Sequence, residues 1–313
     1  MKRIVVTGAT SMIGAALIET CLAHEIEVYA VVREASGKLS RLPQHEKLHV
    51  VPCELADMDQ LPGMISGECD TFYHIAWGHT GAARNQSVRL QSDNIGYTMN
   101  AEKAAKELGC RRFVGAGSQA EYGVLDMDAI GPDAPANPGT PYGISKLAAG
   151  KLALAYAGEL GIECIWPRIF SVYGIYDKES SMIAGSLAKM ISGEQTEFTK
   201  AEQRWDYLYS KDAGNAFYLI GEKGKDKAVY CVGSGRARRL SEYIYAMRDA
   251  VDPGIVPGIG RREYPAGAVM NLCADIRTLT EDTGFVPEYS FEEGVLETAE
   301  WLRRISSCKR KYQ

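Results

Sequence analysis

Apolar residues in the first half of the chain fall into short runs separated by longer segments of helical periodicity. The runs are rich in β-branched and aromatic residues and lack two-residue alternation, which is typical of strands buried on both faces of a parallel sheet. They predict strands over residues 4–7, 27–32, 48–52, 71–75, 113–116 and 162–166. Because helical segments lie between them, the pattern predicts an α/β fold with a doubly wound parallel Rossmann sheet.

The helical pattern predicts helices over residues 12–22, 94–108 and 141–160. The third has the clearest boundary signals. Thr140 can cap it, Pro141 suits its first turn, and Gly161 lies where a helix commonly ends. The pattern therefore places Tyr142 at the start of a helix.

The regular alternation of short apolar runs and helical segments ends after about residue 170. Residues 180–192 and the segment near 291–305 are predicted as helices, and residues 228–232 as a further strand. We therefore predict a Rossmann domain over residues 1–170 and a smaller C-terminal α/β lobe over residues 171–313. A segment near residues 205–235 is expected to return to the Rossmann sheet.

Composition narrows the classes of partner. The chain has 313 residues, of which 46% are hydrophobic and 24% charged, with a net charge of −5. This balance argues against nucleic acid or an anionic membrane as a partner. The apolar runs are too short to span a membrane, and the first strand begins at once, so we expect no secretion signal.

Cysteine and histidine spacing points to a cytoplasmic protein without a metal site. The eight cysteines show no CxxC spacing, and several lie in apolar stretches, as expected for packed, reduced thiols. The five histidines lack metal-ligand spacing. We therefore predict no bound metal.

A glycine turn follows the first predicted strand. Gly8 lets the backbone approach a pyrophosphate, Gly14 allows the first helix to pack closely on the sheet, and the free N–H groups of that helix attract phosphate. Ser11 stands where a middle glycine is usual and can donate a hydrogen bond to phosphate. The turn predicts a dinucleotide site formed by Gly8, Thr10, Ser11, Met12, Ile13 and Gly14. A tight turn without a ligand is the alternative.

The end of the second predicted strand bears on the choice of dinucleotide. Folds that prefer NAD usually place an acidic residue here to hold the ribose hydroxyls. This chain has Arg33, with Lys38 close behind, and arginine can pair with a 2′-phosphate. NADP is therefore the preferred prediction and NAD the alternative. Glu34 complicates this interpretation, and Arg33 can also simply cover the sheet edge.

Tyr142 and Lys146 are four residues apart and share one helix face. An ammonium beside a phenol favours the phenolate, so Lys146 is expected to lower the pKa of Tyr142 towards working pH. Ser118 follows a predicted strand, where its hydroxyl can polarise a reacting oxygen. The three residues predict proton transfer at an alcohol or ketone; an ordinary surface pair on a helix is the alternative.

With these motifs the chain resembles the extended short-chain dehydrogenase/reductase family, in its nucleotide-sugar epimerase/dehydratase branch. Further segments carry the resemblance, namely residues 93–100, 167–174 and 204–207 together with Asp212. The resemblance implies that Glu54, Leu55, Ala76, Trp77 and Asn94 lie along the cofactor. It also implies a nucleotide-sugar substrate and a homodimer formed through the helices at 94–108 and 141–160.

The same resemblance places the substrate against several side chains. It implies that Arg204 binds the nucleotide diphosphate, a role that the planar guanidinium suits. The other substrate-binding residues expected are Ser118, Gln119, Ser171 and Arg261.

The residues at the catalytic strand end bear on the reaction. Dehydratases of this branch usually carry Thr-Asp-Glu, whereas this chain has Ser118-Gln119-Ala120. Dehydration is therefore disfavoured, unless Glu121 reaches inward. Arg33 favours reduction of a keto sugar with Tyr142 as proton donor. The alternatives are a nucleotide-sugar 4-epimerase with retained NAD, a reductase of a non-nucleotide carbonyl, and a non-catalytic dinucleotide sensor.

Overall fold

The computed structural model describes residues 1–81, 84–265 and 267–310, the last three by backbone alone. Residues 266 and 311–313 of the predicted C-terminal lobe therefore lie outside the described residues. The strands within this part of the chain are β1 Arg3–Thr7, β2 Glu27–Val32, β3 Leu48–Pro52, β4 Thr71–His74, β5 Arg112–Gly115, β6 Gly117–Ser118, β7 Glu163–Ile169, β8 Ser171–Tyr173, β9 Arg204–Tyr209, β10 Val229–Val232, β11 Ala237–Arg239 and β12 Asn271–Leu272. The helices are α1 Met12–Ala23, α2 Val88–Glu107, α3 Pro141–Leu160, α4 Met182–Ser192, α5 Ser210–Lys223, α6 Leu240–Val251, α7 Arg277–Thr283 and α8 Phe291–Arg310.

The larger sheet has the strand order β10-β7-β5-β4-β1-β2-β3, and β6 also pairs with β7. Neighbouring strands are parallel throughout, as the register of each described pair shows. Helices α1 and α5 pack together, and α2 packs on α3. This arrangement confirms the predicted α/β fold with a doubly wound parallel sheet.

The two faces of this sheet bury separate apolar layers. Along β1, Ile4 and Val6 belong to one layer, whereas Val5 belongs to the other. Successive side chains of a strand point to opposite faces, so a strand that is apolar at every position supplies both layers. This is why the predicted strands lack a polar alternation.

Helix boundaries differ from the predicted ones at capped positions. The helix predicted over residues 94–108 begins at Val88, because the Ser87 hydroxyl accepts a hydrogen bond from the Leu90 N–H. The helix predicted over 180–192 begins at Met182 and is capped in the same way by Ser181. Helix α3 has the predicted bounds. Three helices, α5, α6 and α7, lie outside the predicted elements.

The second half of the chain forms a smaller sheet with its own core. Strand β9 pairs with β8, β11 and β12. One buried cluster contains side chains from both strands and helices of this half, among them Tyr173, Tyr209, Tyr243 and Phe291. Strand β10 pairs instead with β7 at the edge of the large sheet. No helix of the described residues is long and apolar enough to cross a membrane.

Candidate active site

The glycine turn joins the end of β1 to α1. Gly8 adopts a φ of 69°, and a Cβ there would lie 2.7 Å from the Ala76 nitrogen. A Cβ on Gly14 would collide with the Gly8 carbonyl oxygen. The Ser11 hydroxyl caps α1 by accepting from the Gly14 N–H at 3.0 Å, which leaves its proton for a ligand. This cradle of small residues at a helix N-terminus fits a pyrophosphate.

The other three residues predicted in this turn, Thr10, Met12 and Ile13, are half-buried. The carbonyl of Thr10 accepts a hydrogen bond from the Arg41 guanidinium at 3.2 Å. Arg41 also donates to the Tyr176 carbonyl at 3.3 Å and lies 4.8 Å over its ring. A side chain from the loop after β2 thus bridges the glycine turn to the start of the smaller lobe, a connection that the sequence did not indicate.

Several basic side chains lie near the end of β2. Arg33 is exposed at the residue after this strand. Partial burial, together with the nearby charges of Arg41, Arg33 and Lys178, lowers the pKa of Lys38. Lys38 therefore interacts electrostatically with each of these three cations. Glu54 and Leu55, both half-buried, lie at the start of a short 3-10 turn after β3.

The segment after β4 is held by Asn94 and Gln91 of α2. The Asn94 side chain accepts from the Gly78 N–H at 2.6 Å and donates to the Leu90 carbonyl at 3.0 Å. Ala76, half-buried, donates its N–H to the Thr7 hydroxyl at 3.3 Å. Asn94 therefore shapes the backbone beside the expected cofactor groove.

The structure places Ser118, Tyr142 and Lys146 at one end of the large sheet. Ser118 ends β6 and forms a side-chain hydrogen bond with Tyr142. Lys146 is buried and donates to the Ala116 carbonyl at 2.6 Å. Its ammonium also lies 3.6 Å from the centre of the Trp77 ring. The arrangement places a hydroxyl, a phenol and an ammonium at the carboxyl end of the sheet.

The electrostatics correct one expectation. Burial raises the pKa of Tyr142 above its ordinary value, although the Ser118 hydrogen bond and the charge of Arg84 act in the opposite direction. Burial lowers the pKa of Lys146 to about 7, partly offset by Glu121. The prediction that Lys146 draws the phenol towards ionisation was therefore wrong for this structure. The cation facing the Tyr142 ring is Arg84, whose guanidinium carbon lies 4.9 Å from the ring centre.

Glu121 is fully buried and turned away from this chemistry. Its carboxylate accepts from the Ser118 N–H at 2.8 Å, from the Trp166 indole at 3.0 Å and from Arg168 at 2.7 Å. Arg168 donates also to the Pro132 carbonyl at 3.1 Å. A carboxylate with three donors is a structural anchor for the catalytic strand end. The sequence signal for this pair was Arg168, a charged residue directly after the apolar residues 164–167.

The expected substrate residues lie mostly in the smaller lobe. The Ser171 hydroxyl accepts from the Trp205 indole at 2.8 Å, and the exposed Arg204 donates to the Ala237 carbonyl at 2.8 Å. Arg261 is exposed, and Gln119 is half-buried at the start of the 3-10 turn after Ser118. No described contact joins Arg204 or Arg261 to the Ser118, Tyr142 and Lys146 group.

Two buried aspartates of the family-like late segment support the backbone. Asp206 accepts from the Ser234 hydroxyl at 2.5 Å and from the Gly235 and Ala274 N–H groups at 3.0 Å. Asp212 accepts from the Glu288 and Tyr289 N–H groups at 2.9 and 3.1 Å. Both carboxylates therefore tie loops of the second half to β9 and α5.

Comparisons with known proteins show similarity over nearly the whole chain. The sequence model of the NAD dependent epimerase/dehydratase family matches residues 4–233. A dTDP-glucose 4,6-dehydratase from Streptomyces niveus is 23% identical over 314 residues, covering 96% of this chain and 93% of that protein. A UDP-glucose 4-epimerase from Mycolicibacterium smegmatis is 24% identical over 320 residues, covering 97% and 99%. The structure of a UDP-glucose 4-epimerase from Thermotoga maritima with UDP-glucose has a TM-score of 0.85 at 22% identity, covering 97% of this chain and 99% of that chain.

Proposed function

Because the chain belongs to the NAD dependent epimerase/dehydratase family, we propose that it reduces a keto group on a nucleotide-linked sugar, with NADPH as the preferred cofactor. The family assignment confirms the predicted place among extended short-chain dehydrogenases/reductases, and with it an NAD(P)-dependent enzyme. The observation that carries the finer proposal is the cluster of Arg33, Lys38 and Arg41 beside the glycine turn.

Those three cations suit a 2′-phosphate. The acidic residue that grips ribose hydroxyls in NAD-preferring folds would repel this phosphate, whereas guanidinium groups pair with it. Burial is the main cause of the lowered pKa of Lys38, and repulsion from Arg41 and Arg33 adds to it; an anion among the three cations relieves this repulsion. A reductase exchanges NADP for NADPH at each turnover, whereas an epimerase retains its cofactor. A site that prefers NADPH therefore favours the reductase.

The state of Tyr142 supports a proton donor. When bound, the dinucleotide supplies the hydride that reduces the carbonyl carbon. Burial keeps the Tyr142 phenol protonated at neutral pH, so its proton is available for the carbonyl oxygen. Ser118, hydrogen-bonded to the phenol, polarises the same oxygen. Tyr142 and Ser118 thus act on the same carbonyl oxygen of the substrate.

Dehydration lacks its acid–base pair in this chain. Gln119 and Ala120 cannot transfer protons, and the Glu121 carboxylate is bonded to Ser118, Trp166 and Arg168. A proton abstraction next to the ketone therefore has no carboxylate among these residues to perform it.

A nucleotide-sugar 4-epimerase is the second candidate, supported by the full-length likeness to the Mycolicibacterium smegmatis enzyme. Such a cycle uses Ser118, Tyr142 and Lys146 in both directions and keeps its dinucleotide bound. A homodimer in the cytoplasm, formed through α2 and α3, stays part of the proposal.

The dinucleotide itself distinguishes the two candidates. The purified protein is denatured to identify any released nucleotide, and the emptied protein is titrated with NADPH and NADH. We expect little copurified cofactor and binding of NADPH at least about tenfold tighter than NADH, a difference that Arg33→Ser should reduce. Copurified NAD that survives dialysis would replace the reductase by the epimerase.

The role of Tyr142 is tested by Tyr142→Phe, which keeps the ring and removes the proton. Turnover of a keto-sugar nucleotide should fall by about 10²- to 10⁴-fold, the range for losing a general acid. The dissociation constant for NADPH should stay within about twofold. Turnover that survives this change would show that the proton follows another route.

A further inference from the structure

Trp77 contacts two members of the proposed proton-transfer group, Lys146 and Tyr142. Its ring lies 3.6 Å from the Lys146 ammonium, measured to the ring centre. It also meets the Tyr142 ring edge-on, with centres 6.2 Å apart and planes at 86°. One indole therefore contacts the lysine through its face and lies against the tyrosine.

Gln91 fixes the plane of this indole. The Gln91 side-chain oxygen accepts from the Trp77 indole N–H at 2.8 Å, and its amide nitrogen donates to the His79 carbonyl at 2.9 Å. Gln91 is itself fully buried on α2. Rotating the indole would break this bond and leave the oxygen of the buried Gln91 without its donor, which is unfavourable. The ring is thus held in the orientation that presents its face to Lys146.

The surroundings of Lys146 make this contact matter. Burial lowers the pKa of the ammonium to about 7, with Glu121 acting against the shift. His74 stays neutral because burial and the Lys146 charge lower its pKa to about 3. Tyr142, on the same helix, remains protonated, and Arg84 faces the Tyr142 ring. Among these neighbours, the Trp77 face and the Glu121 carboxylate favour the charged lysine.

We propose that Trp77, held in orientation by Gln91, is a positioning residue that fixes the protonated Lys146 beside Tyr142. The inference rests on the proposed function, since it concerns the same proton-transfer group. Trp77 then has two roles: it positions the catalytic lysine, and it lines the expected cofactor groove. Gln91, which no sequence motif indicated, acts through Trp77.

The test compares Trp77→Phe and Gln91→Met with Trp301→Phe, which alters a half-buried indole on α8. We expect turnover to require the protonated form of Lys146. Replacing the indole by the weaker phenyl face destabilises this ammonium, so the loss of kcat at alkaline pH should begin at lower pH. We expect its midpoint to fall by about half a unit in Trp77→Phe and by less in Gln91→Met. Trp301→Phe should keep the wild-type midpoint, and thermal unfolding checks that all three variants are folded.

A fluorescence titration tests the contact without turnover. The emission of Trp77 is obtained as the difference between the wild-type protein and Trp77→Phe, across pH 5 to 9. It should change with a midpoint near pH 7, where Lys146 loses its proton, and Lys146→Met should abolish the change. In Gln91→Met the amplitude should fall, because the indole is no longer held.

The outcomes separate this inference from the proposed function. If Trp77 emission is independent of pH and Trp77→Phe keeps the wild-type kcat profile, Trp77 does not position Lys146, whatever reaction the enzyme performs. If Tyr142→Phe remains active, the proposed proton route fails, while the fluorescence titration still reports on the contact of Trp77 with Lys146.

Discussion

A single carboxylate, Glu121, sets the geometry at the end of the catalytic strand. It bonds the Ser118 N–H, so its position determines where the Ser118 hydroxyl lies relative to Tyr142. The same carboxylate neutralises Arg168, which is only 4% exposed. A buried charge is tolerated when it is paired and hydrogen-bonded, as Glu121 is.

Glu121→Gln should therefore be strongly destabilising. The substitution keeps the side-chain size but leaves the buried Arg168 without a counter-charge, a change that costs about 3–5 kcal/mol in free energy of unfolding. Urea unfolding measures it. The matched control is Glu197→Gln, whose partner Arg262 lies at 3.3 Å in an exposed pair, and it should cost less than about 1 kcal/mol. Equal stability of the two variants would contradict the role of Glu121.

Individual side chains of the site were predictable only where a short motif carried them. Ser118, Tyr142 and Lys146 follow from a strand end and a four-residue spacing, and the structure brings them together. Arg41 and Arg84 were not predicted, because loops with no periodic pattern carry them to the site. The pKa direction of Tyr142 was missed for a related reason, since burial is a property of the folded chain.

At the level of elements, predictability followed local signals. The strands of the large sheet and helix α3 were predicted because apolar runs and capping residues define them along the chain. Helix α5 begins without a side-chain cap and contains Gly214, which argues against a helix in isolation. Gly214 lies against the α1 backbone, where a Cβ would be 2.6 Å from the Ala16 carbonyl carbon. That contact between helices distant in sequence explains the glycine and could not be inferred beforehand.

The start of α3 carries a prediction of its own. Thr140 accepts from the Gly143 N–H at 3.2 Å and so caps the turn that holds Tyr142. Thr140→Ala leaves this N–H without its partner and should reduce the free energy of unfolding by about 1 kcal/mol. Thr140→Ser keeps a hydroxyl and should recover most of the loss. Chemical unfolding of both variants checks the pair; equal losses would mean that the hydroxyl does not cap the helix.

For the molecule as a whole, the apolar layer between α2 and the large sheet contains a carboxyl group that the chemistry does not use. Glu102 of α2 is fully buried, and among the described residues its carboxyl group has no polar partner apart from the weak thiol of Cys164. Burial raises the pKa of Glu102 to about 8, with only the Cys164 thiol acting against the shift. The folded protein therefore holds this group neutral at pH 7, whereas the unfolded chain ionises it near pH 4.5.

The sign of the resulting pH dependence follows from proton binding. Between pH 4.5 and about 8 the folded state holds a proton that the unfolded state has lost, so the contribution of Glu102 to stability is present at low pH and is lost as pH rises. The loss is complete above about pH 8 and is on the order of a few kcal/mol. This loss of stability affects the large sheet, which carries the expected cofactor groove and must remain folded at the pH where NADPH is used.

Glu102→Gln removes this titration and should flatten the fall in stability between pH 5 and 9. Urea unfolding across that range measures the difference between variant and wild type, which should grow in favour of the variant as pH rises. The buried amide of the variant lowers the free energy of unfolding by the same amount at every pH. The slope of this free energy with pH therefore tests the prediction, and its absolute value does not. Glu107→Gln, on the exposed end of the same helix beside Lys103, should keep the wild-type slope. Parallel curves for wild type and Glu102→Gln would mean that Glu102 is ionised in the folded protein.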